Sequence, residues 1–469
     1  MSANRITVVI VGGGLAGLAA GIKLLEDRPG SKVTLYHLGH HLGGKATSYR
    51  DDEGFNIDHG FHAMSTNYHR MLDLLKRSQV DLSNTLVRDR GTYFYDERTS
   101  RITRSGSWLS LFNPETRQLA SFFSRNLKTI YQDPDIEQYD DICWTAWTIQ
   151  NGLNESVTKT RSFRFSQDAL FNTPHPVSAY ITMKSLRLLE GSGNYYLVDG
   201  TYGEDIIEPI VNHFRRLGGT IKVFHKLTRI FHDGTRITGL RFEMPDFGFH
   251  RCGRTRWDRV VQVLPEKSTT IEEFDHVVLT VPVDNFRELN PGDRVFWRGF
   301  PGIENLPSVA TLSLQVWTEQ AVLPNVPACI NALDQPMPMV IDYKDLKSVY
   351  RNDDTIGSAL EWVGQETGFE RMSDEALKTI AYEGLARIPN AMNPRQAGIL
   401  HESLNRNTSN HARYLLTDPG TLRFRPRSKT HFRNLFLAGD WIRNQVDVPT
   451  MEGAICSGYT AVDELLKET

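Results

Sequence analysis

The sequence predicts an α/β fold built on a parallel sheet, and its opening segment is the strongest indication. The run from Arg5 to Val11 is β-branched and has no polar face, which is typical of a strand buried on both sides. Glycines follow at once, and an apolar-periodic stretch from about Leu15 to Leu25 then predicts a helix. Two later segments repeat the pattern: the strand Lys32 to Tyr36, and a buried strand near Leu435 that precedes a helix. Alternating strands and helices favour a parallel sheet.

The glycines after the first strand have the spacing G-x-G-x-x-G, at Gly12, Gly14 and Gly17. In a dinucleotide-binding turn the first allows the tight turn, the second lets the backbone approach a pyrophosphate, and the third lets helix pack on strand. The helix start at Leu15 and Ala16 would present free N–H groups and a positive dipole end to phosphates. The sequence thus predicts a Rossmann-like nucleotide site, the alternative being an ordinary strand–turn–helix.

A second glycine pair, Gly43-Gly44, follows the second strand and precedes Lys45. The stretches from Val33 to Tyr36 and from Leu42 to Ala46 resemble the flavin-containing amine oxidase and phytoene desaturase superfamily. The resemblance implies FAD as the cofactor. It also implies that Gly43 and Gly44 pass close to FAD and that Lys45 lies near it.

Three further segments resemble the same superfamily, in the same order along the chain. The strand ending in Gly439-Asp440 and the helix that begins near Met451 match its C-terminal part, and Asp275 to Pro282 matches a further strand. The resemblance implies that Asp440 holds the ribityl and pyrophosphate region, and that the helix start points at the pyrimidine edge of the flavin. It further implies that the backbone at Leu227 meets the adenine. The cofactor contacts implied in these segments are Leu227, Gly439, Asp440, Met451, Glu452 and Ala454.

One position departs from the superfamily. An acidic residue normally ends the second strand and bonds both ribose hydroxyls, and here that position is His37. A neutral imidazole accepts one hydrogen bond and cannot match a bidentate carboxylate. His37 is therefore predicted to bind the ribose more weakly, unless another residue has taken the role or the flavin is exchangeable or lost.

The resemblance implies a discontinuous Rossmann-like FAD-binding domain with an inserted, mixed α+β substrate domain. At 469 residues the chain is too long for one core, so more than one domain is expected. The predicted FAD-binding parts are 1–95, 196–285 and 428–469, and the predicted substrate parts are 96–195 and 286–427.

Composition excludes several classes of protein. A formal charge of −3 argues against nucleic-acid binding. There is no run of eighteen apolar residues and no signal-peptide pattern, so we expect a cytoplasmic protein. Its oligomeric state is not indicated. The scattered cysteines lack metal or disulfide spacing, which predicts free thiols and no metal site; they are Cys143, Cys252, Cys329 and Cys456.

The loop from Ile57 to Met64 is the candidate for chemistry, because the resemblance implies that it passes the flavin ring. Its sequence Asp58-His59-Gly60-Phe61-His62 is especially similar to carotenoid desaturases and carotenoid ring-aromatising enzymes. His59 or His62 could polarise the flavin or act as a base, since imidazole titrates near neutrality. The alternative is that one histidine caps the loop and the other packs. Gly60 is predicted to touch the cofactor, and Asp58 to satisfy loop amides.

The resemblance implies a small apolar substrate of the isoprenoid or carotenoid-like class, with C–C desaturation or a flavin-dependent isomerisation as the reaction. Amine oxidases of the superfamily carry a lysine on a substrate-domain strand. The matching strand from Ala310 to Trp317 has none, and Lys344 and Lys347 fall in a polar stretch. The alternatives are an amine or amino-acid oxidase and a flavin-free binding protein. Aromatic side chains could line an apolar tunnel; they are Trp108, Phe112, Phe122, Phe123, Trp144, Trp147, Phe163 and Phe165.

Two segments suggest contacts with other molecules. The stretch from Leu119 to Lys128 has the basic amphipathic character of an interfacial helix, which predicts peripheral membrane contact unless its stripe faces the core. The stretch from Arg241 to Thr270 is polar and rich in arginine. It is either an insertion or a basic patch for an anionic partner.

Overall fold

The computed structural model describes residues 5–88, 91, 93–96, 101–104, 114–168, 174–189, 195–244, 268–326, 329–331 and 336–469. The strands are β1 Thr7–Val11, β2 Lys32–Tyr36, β3 Ser48–Arg50, β4 Asn56–Asp58, β5 Met64–Ser65, β6 Leu86–Arg88, β7 Tyr93–Asp96, β8 Arg101–Arg104, β9 Tyr195–Val198, β10 Thr220–Lys222, β11 Lys226–His232, β12 Ile237–Glu243, β13 Ser268–Ile271, β14 His276–Leu279, β15 Ser308–Val309, β16 Thr311–Thr318, β17 Cys329–Asn331, β18 Met339–Asp342, β19 Ser358–Gln365, β20 Ile399–Arg406, β21 Tyr414–Leu415 and β22 Leu435–Leu437. The α-helices are α1 Leu15–Asp27, α2 His69–Arg77, α3 Leu82–Thr85, α4 Pro114–Gln132, α5 Trp144–Gln150, α6 Glu155–Thr158, α7 Arg161–Asp168, α8 Ala179–Leu189, α9 Glu208–Arg216, α10 Val283–Arg287, α11 Arg294–Trp297, α12 Ser348–Arg351, α13 Asp374–Ala386 and α14 Met451–Leu466. One π-helical turn spans Tyr202–Ile207, and 3-10 turns span Ile136–Tyr139, Ile303–Asn305 and Leu422–Phe424.

A five-stranded parallel sheet, in the order β10-β2-β1-β14-β22, contains the first strand and carries the glycine turn at its end. Its first strand is central, as its unbroken apolar run requires. Helices α1, α9 and α14 cover one face, where Leu18, Phe214 and Ile455 are buried. A second core, with Leu240 and Phe286, covers the other face. The predicted α/β class with a Rossmann-like parallel sheet is confirmed.

A mixed seven-stranded sheet, β20-β16-β19-β18-β17-β7-β8, lies beyond the parallel one. The predicted strand from Ala310 to Trp317 is β16, paired antiparallel with β19 and β20. Its Leu314, like Trp362 of β19, belongs to a core shared with α13. Because side chains alternate along a strand, Gln315 and Glu361, which pair in register, belong to the opposite face. That polar row is buried and faces the candidate loop.

Helices α4 to α8 form a separate core, which corrects the predicted aromatic tunnel. Phe122, Trp144, Trp147 and Phe163 pack against one another in this core and do not line the cavity described below. Phe123 packs at its edge. Trp108, Phe112 and the side chain of Phe165 lie outside the described residues.

The segments predicted to meet other molecules are only partly described. The stretch from Leu119 to Lys128 lies within α4, where Phe122 is fully buried and Leu127 is 50% exposed. Most of the arginine-rich stretch, 245–267, lies outside the described residues. In the described part of the chain, no helix has the length and apolarity needed to cross a membrane. Cys143 and Cys456 are free thiols.

Candidate functional site

A cavity of about 670 Å³ begins at the carboxyl ends of the parallel strands and continues to the mixed sheet. Most of the residues predicted from the sequence lie on its wall. These are Gly12, Gly14, Leu15, Ala16, His37, Gly43, Gly44, Lys45, His59, Gly60, His62, Leu227, Gly439, Asp440, Met451 and Ala454. The exceptions among the predicted site residues are Gly17 and Glu452.

The two glycine turns form one cradle. Gly12 has φ +115°, and a Cβ there would lie 2.4 Å from Oγ1 of Thr280. The turns are joined by a hydrogen bond from the Gly43 amide to the Gly13 carbonyl, at 2.8 Å. A Cβ on Gly44 would come within 3.1 Å of the Cα of Gly14. The N-terminus of α1 has no side-chain cap, so its amides remain available to an anionic ligand.

Gly17 serves packing, as its place in the motif predicts, and does not line the cavity. A Cβ on Gly17 would lie 2.0 Å from the carbonyl oxygen of Gly12, so helix α1 and the first turn touch here. Across α1, a Cβ on Gly458 of α14 would lie 2.4 Å from the carbonyl oxygen of Ala16. Both contacts exclude any side chain.

Glu452 is directed away from the cavity, which corrects its predicted cofactor contact. Its buried carboxylate accepts hydrogen bonds from the backbone amides of Arg70 and Met71, both at 2.9 Å. These amides open helix α2, whose N-cap Tyr68 makes no side-chain capping bond. A carboxylate at a helix N-terminus satisfies free N–H groups and complements the dipole. Glu452 therefore caps a neighbouring helix.

Both ring nitrogens of His37 are used within the chain. Its Nδ1 accepts a hydrogen bond from the Gly13 amide at 3.1 Å, and its Nε2–H donates to the His41 carbonyl at 2.8 Å. Burial lowers the pKa of His37 to about 4, so the ring is neutral at pH 7. His37 therefore holds the glycine turn and has no free nitrogen for a ribose. Asn285 lines the same cavity, and its buried Oδ1 has no hydrogen-bond partner in the described structure.

Lys45 and Asp440 pair with each other. Their side chains form an ion pair, and the Lys45 ammonium also donates to the Arg413 carbonyl at 3.3 Å. This contact ties the second glycine turn to the end of strand β22. The two residues, which the family resemblance implied as separate cofactor contacts, therefore form one ion pair at the cavity wall.

The candidate loop is held by hydrogen bonds to its backbone. The Asp58 amide donates to Oε1 of Gln315 at 3.0 Å, and Nδ2 of Asn407 donates to the His59 carbonyl at 3.0 Å. The hydroxyl of Tyr202 donates to the His62 carbonyl, also at 3.0 Å. These three hydrogen bonds fix the loop backbone. The prediction that the Asp58 carboxylate satisfies loop amides is wrong, because its Oδ1 has no hydrogen-bond partner among the described residues.

The two loop histidines retain free ring nitrogens. Nε2 of His59 and Nδ1 of His62 are buried without a hydrogen-bond partner among the described residues, and both rings line the cavity. Burial, together with His62 and Lys45, lowers the pKa of His59 to about 3. Burial also lowers the pKa of His62, although the Asp58 charge opposes this. Each imidazole is neutral at pH 7, so each can accept or share a proton.

The far end of the cavity is mainly apolar. Helix α8 contributes Leu186 and Leu189, and the strands contribute Leu197, Met339 and Val363. Asp168, at the end of α7, is an acidic residue on the same wall. These side chains suit a ligand with a long apolar surface.

Sequence reasoning missed the polar residues that hold this site. Gln315 and Asn407 were not predicted. Ser313 and Gln315 alternate with leucines in β16, and this pattern assigns them to one face of the strand without indicating that the face is buried. Lys347 was interpreted as part of a polar, loop-like stretch. It is in fact 4% exposed, with its ammonium 3.9 Å from the Asp58 carboxylate.

The chain was compared with known proteins. Residues 15–466 match the model of a family described as flavin containing amine oxidoreductase. A 15-cis-phytoene desaturase of Synechococcus elongatus is 23% identical over 98% of this chain and 95% of that protein. A zeta-carotene desaturase of Synechocystis is 23% identical over 98% of this chain and 97% of that protein.

Solved structures share the fold. An oxidoreductase from Methanosarcina mazei is 14% identical, with a TM-score of 0.71 over 98% of this chain and 100% of that one. Putrescine oxidase bound to putrescine is 13% identical, with a TM-score of 0.72 over 99% of each chain.

The glycine cradle, the uncapped helix and the buried unpaired nitrogens fit an extended dinucleotide.

Proposed function

The chain belongs to the flavin containing amine oxidoreductase family and is an FAD-dependent oxidoreductase, and on this premise we propose that it acts on an apolar, carotenoid-like isoprenoid. The observation that carries the proposal is the apolar far end of the cavity, with Leu186, Leu197 and Met339 on its wall. The carotenoid desaturases among its relatives support the same substrate class. The reaction is C–C desaturation or a flavin-dependent isomerisation.

FAD would be held along the wall built from glycines. Gly12, Gly14 and the start of α1 would carry the pyrophosphate, and Leu227 would meet the adenine. The pair Lys45 and Asp440 would border the middle of the cofactor. Asn285 is our candidate for the ribose contact that His37 cannot make.

When bound, FAD supplies a hydride acceptor. The neutral imidazole of His62 would take the proton that leaves the substrate, because its ring lines the cavity and its Nδ1 has no hydrogen-bond partner among the described residues. The apolar walls would exclude water and orient the chain of the substrate. His59 would assist as a hydrogen-bonding group at the same wall.

The test is turnover of linear polyenes. FAD-loaded protein is incubated with 15-cis-phytoene and zeta-carotene in detergent micelles, with a quinone as electron acceptor. If the reaction is desaturation, we expect products that absorb at longer wavelength, because conjugation is extended. If it is isomerisation, we expect a new isomer on chromatography. Absence of both with every polyene and acceptor would contradict the proposed substrate class.

A second candidate is oxidation of an amine, and Asp168 is the observation that favours it. A carboxylate on the cavity wall could pair with a substrate ammonium. Hydrogen peroxide release from a panel of amines, abolished by Asp168→Asn, would favour this function. Polyene turnover that survives Asp168→Asn would favour the first.

We also propose that the chain is divided into the domains predicted from the sequence and that it contacts a membrane. The parts 1–95, 196–285 and 428–469 would bind FAD, and 96–195 with 286–427 would bind the substrate. Helix α4 would touch the bilayer from which an apolar substrate is taken, because half-exposed Leu127 lies between Arg125 and Lys128. Flotation with anionic vesicles, lost in Leu127→Glu, tests the contact.

A further inference from the structure

A buried group of charges lies behind the candidate loop. The side chains of Asp58, Lys347 and Glu361 are nearly or fully inaccessible, and none of them lines the cavity. The Lys347 ammonium is 3.9 Å from Oδ2 of Asp58. This group thus consists of one cationic and two acidic side chains, all of them shielded from solvent. Charges buried in this way strongly affect one another and any titratable neighbour.

The surrounding contacts distinguish the two acids. Glu361 accepts hydrogen bonds from the hydroxyls of Ser313, at 3.0 Å, and Tyr343, at 2.7 Å. Burial and the Asp58 charge raise the pKa of Glu361 above its ordinary value, while its hydrogen bond from Tyr343 opposes this. Asp58 instead faces Lys347, whose ammonium also donates to the Gly200 carbonyl at 3.4 Å.

Asp58 and Lys347 act on His62 with opposite signs. Burial is the main cause that lowers the pKa of His62. The Asp58 charge opposes it by favouring a protonated imidazole, and the Lys347 charge adds a smaller effect that disfavours the protonated ring. The other groups facing this ring are His59 on the same loop and Tyr202, whose ring centroid is 5.0 Å away. Because the loop backbone is fixed by Gln315, Asn407 and Tyr202, these charges act at a constant separation.

We propose that Lys347 is a positioning residue, which pairs with Asp58 behind the loop and so compensates the carboxylate that would draw a proton onto the buried His62 imidazole. An uncompensated carboxylate beside a buried imidazole would draw a proton onto it. Lys347 neutralises that carboxylate from behind the loop, outside the cavity. The inference rests on the proposed role of His62, because only a neutral imidazole can take a proton from a substrate.

The test compares Lys347→Met, Asp58→Asn and the double variant in FAD-loaded protein. The readout is the titration of the His62 ring, followed by NMR of protein labelled at histidine and assigned with His62→Gln. We expect Lys347→Met to raise the pKa of His62, Asp58→Asn to lower it, and the double variant to return it towards wild type. At pH 7, a rise to one unit above neutrality would cut the neutral fraction, and with it kcat, about ten-fold.

Lys344→Met is the matched control. Its ammonium donates to the carbonyls of Tyr350 and Asp353, both at 2.8 Å. We expect no change in the His62 titration. If Lys347→Met fails to fold, Asp58→Asn and the double variant still carry the test, because both avoid an uncompensated buried carboxylate at Asp58.

Shifts of one sign in both single variants, or no shift in folded variants, would overturn the inference. A double variant that titrates like either single one would do the same. The ring titration needs no substrate, so it can succeed where polyene turnover fails. The proposed function and the charge balance around His62 can therefore fail separately.

Discussion

The two ends of the cavity are built in different ways. The nucleotide end is made of backbone: the turns at Gly12 and Gly43 touch each other and leave no room for side chains. The substrate end is made of side chains, such as Leu197, Met339 and Val363, that project from a sheet and its neighbours. A wall of backbone has one shape, whereas a wall of side chains changes with each substitution. The cofactor end is therefore constrained, and the substrate end can be altered.

The largest effect is expected at Gly17. Gly17→Ala places a Cβ 2.0 Å from the Gly12 carbonyl, and backbone cannot yield as a flexible side chain would. We expect a loss of about 3 kcal/mol in the free energy of unfolding, measured with urea, and loss of bound flavin absorbance. Gly60→Ala is the control for the free energy of unfolding only, because its Cβ would meet nothing within 4 Å although Gly60 lines the cavity. Normal stability of Gly17→Ala would contradict the rigid-backbone view of this end.

Between the two ends, His62 tests the chemistry. His62→Gln should lower kcat about 100-fold or more and leave FAD bound, because a proton acceptor is lost without emptying the wall. His59→Gln is the companion variant, and we expect a smaller loss. Steady-state kinetics with a polyene substrate measures both. Equal losses would assign the chemistry to the loop as a whole.

A lower pH should reduce the free energy of unfolding, because His37 and His59 are buried in their neutral form. The folded-state pKa values of His37, about 4, and His59, about 3, lie below the ordinary 6.5. The unfolded chain therefore binds more protons below pH 6.5, and stability falls as pH drops from there towards 4. The slope is about 1.4 kcal/mol per pH unit for each histidine. Urea midpoints between pH 7 and 5 check this, and His37→Asn should reduce the slope.

At the substrate end, Val363→Phe should narrow the cavity. We expect kcat/KM for the longest polyene to fall about ten-fold, which corresponds to about 1.4 kcal/mol, with unchanged FAD affinity. Val349→Phe is the matched control, because Val349 is exposed and does not line the cavity. A fall in FAD affinity in Val363→Phe would show that the two ends are not separate.

The smallest effect is expected at Glu452. Glu452→Gln weakens the acceptor for the Arg70 and Met71 amides and should cost about 1 kcal/mol of stability. FAD affinity, measured by flavin fluorescence, should not change, since the side chain is directed away from the cavity. A weaker FAD affinity would restore the cofactor contact that the family resemblance implied.

The difference between a wall of backbone and a wall of side chains also determines which site residues could be predicted from the sequence. Gly12 and Gly14 were predictable because backbone geometry imposes glycine at fixed spacing after a strand, and Gly43 followed from the family resemblance. Gln315 and Lys347 were not, because a polar residue in a strand or loop is ordinarily solvent-facing, and only tertiary packing buries these two. His37 lies between these cases: its position was predicted, but its bonds to Gly13 and His41 depend on how the turns meet.

The parallel sheet also has a consequence for biosynthesis. Strands β1 and β2 are made first, but their sheet is completed by β14 and then by β22, and helix α14 packs on α1. Nearly all the remaining strands and helices must therefore be synthesised before the ion pair between Asp440 and Lys45 can form. The flavin site is thus complete only after β22 and helix α14 have been made, and a growing chain exposes an open sheet edge in the meantime. A chain arrested before β22 and helix α14 are made would therefore keep this edge open and would be prone to aggregate.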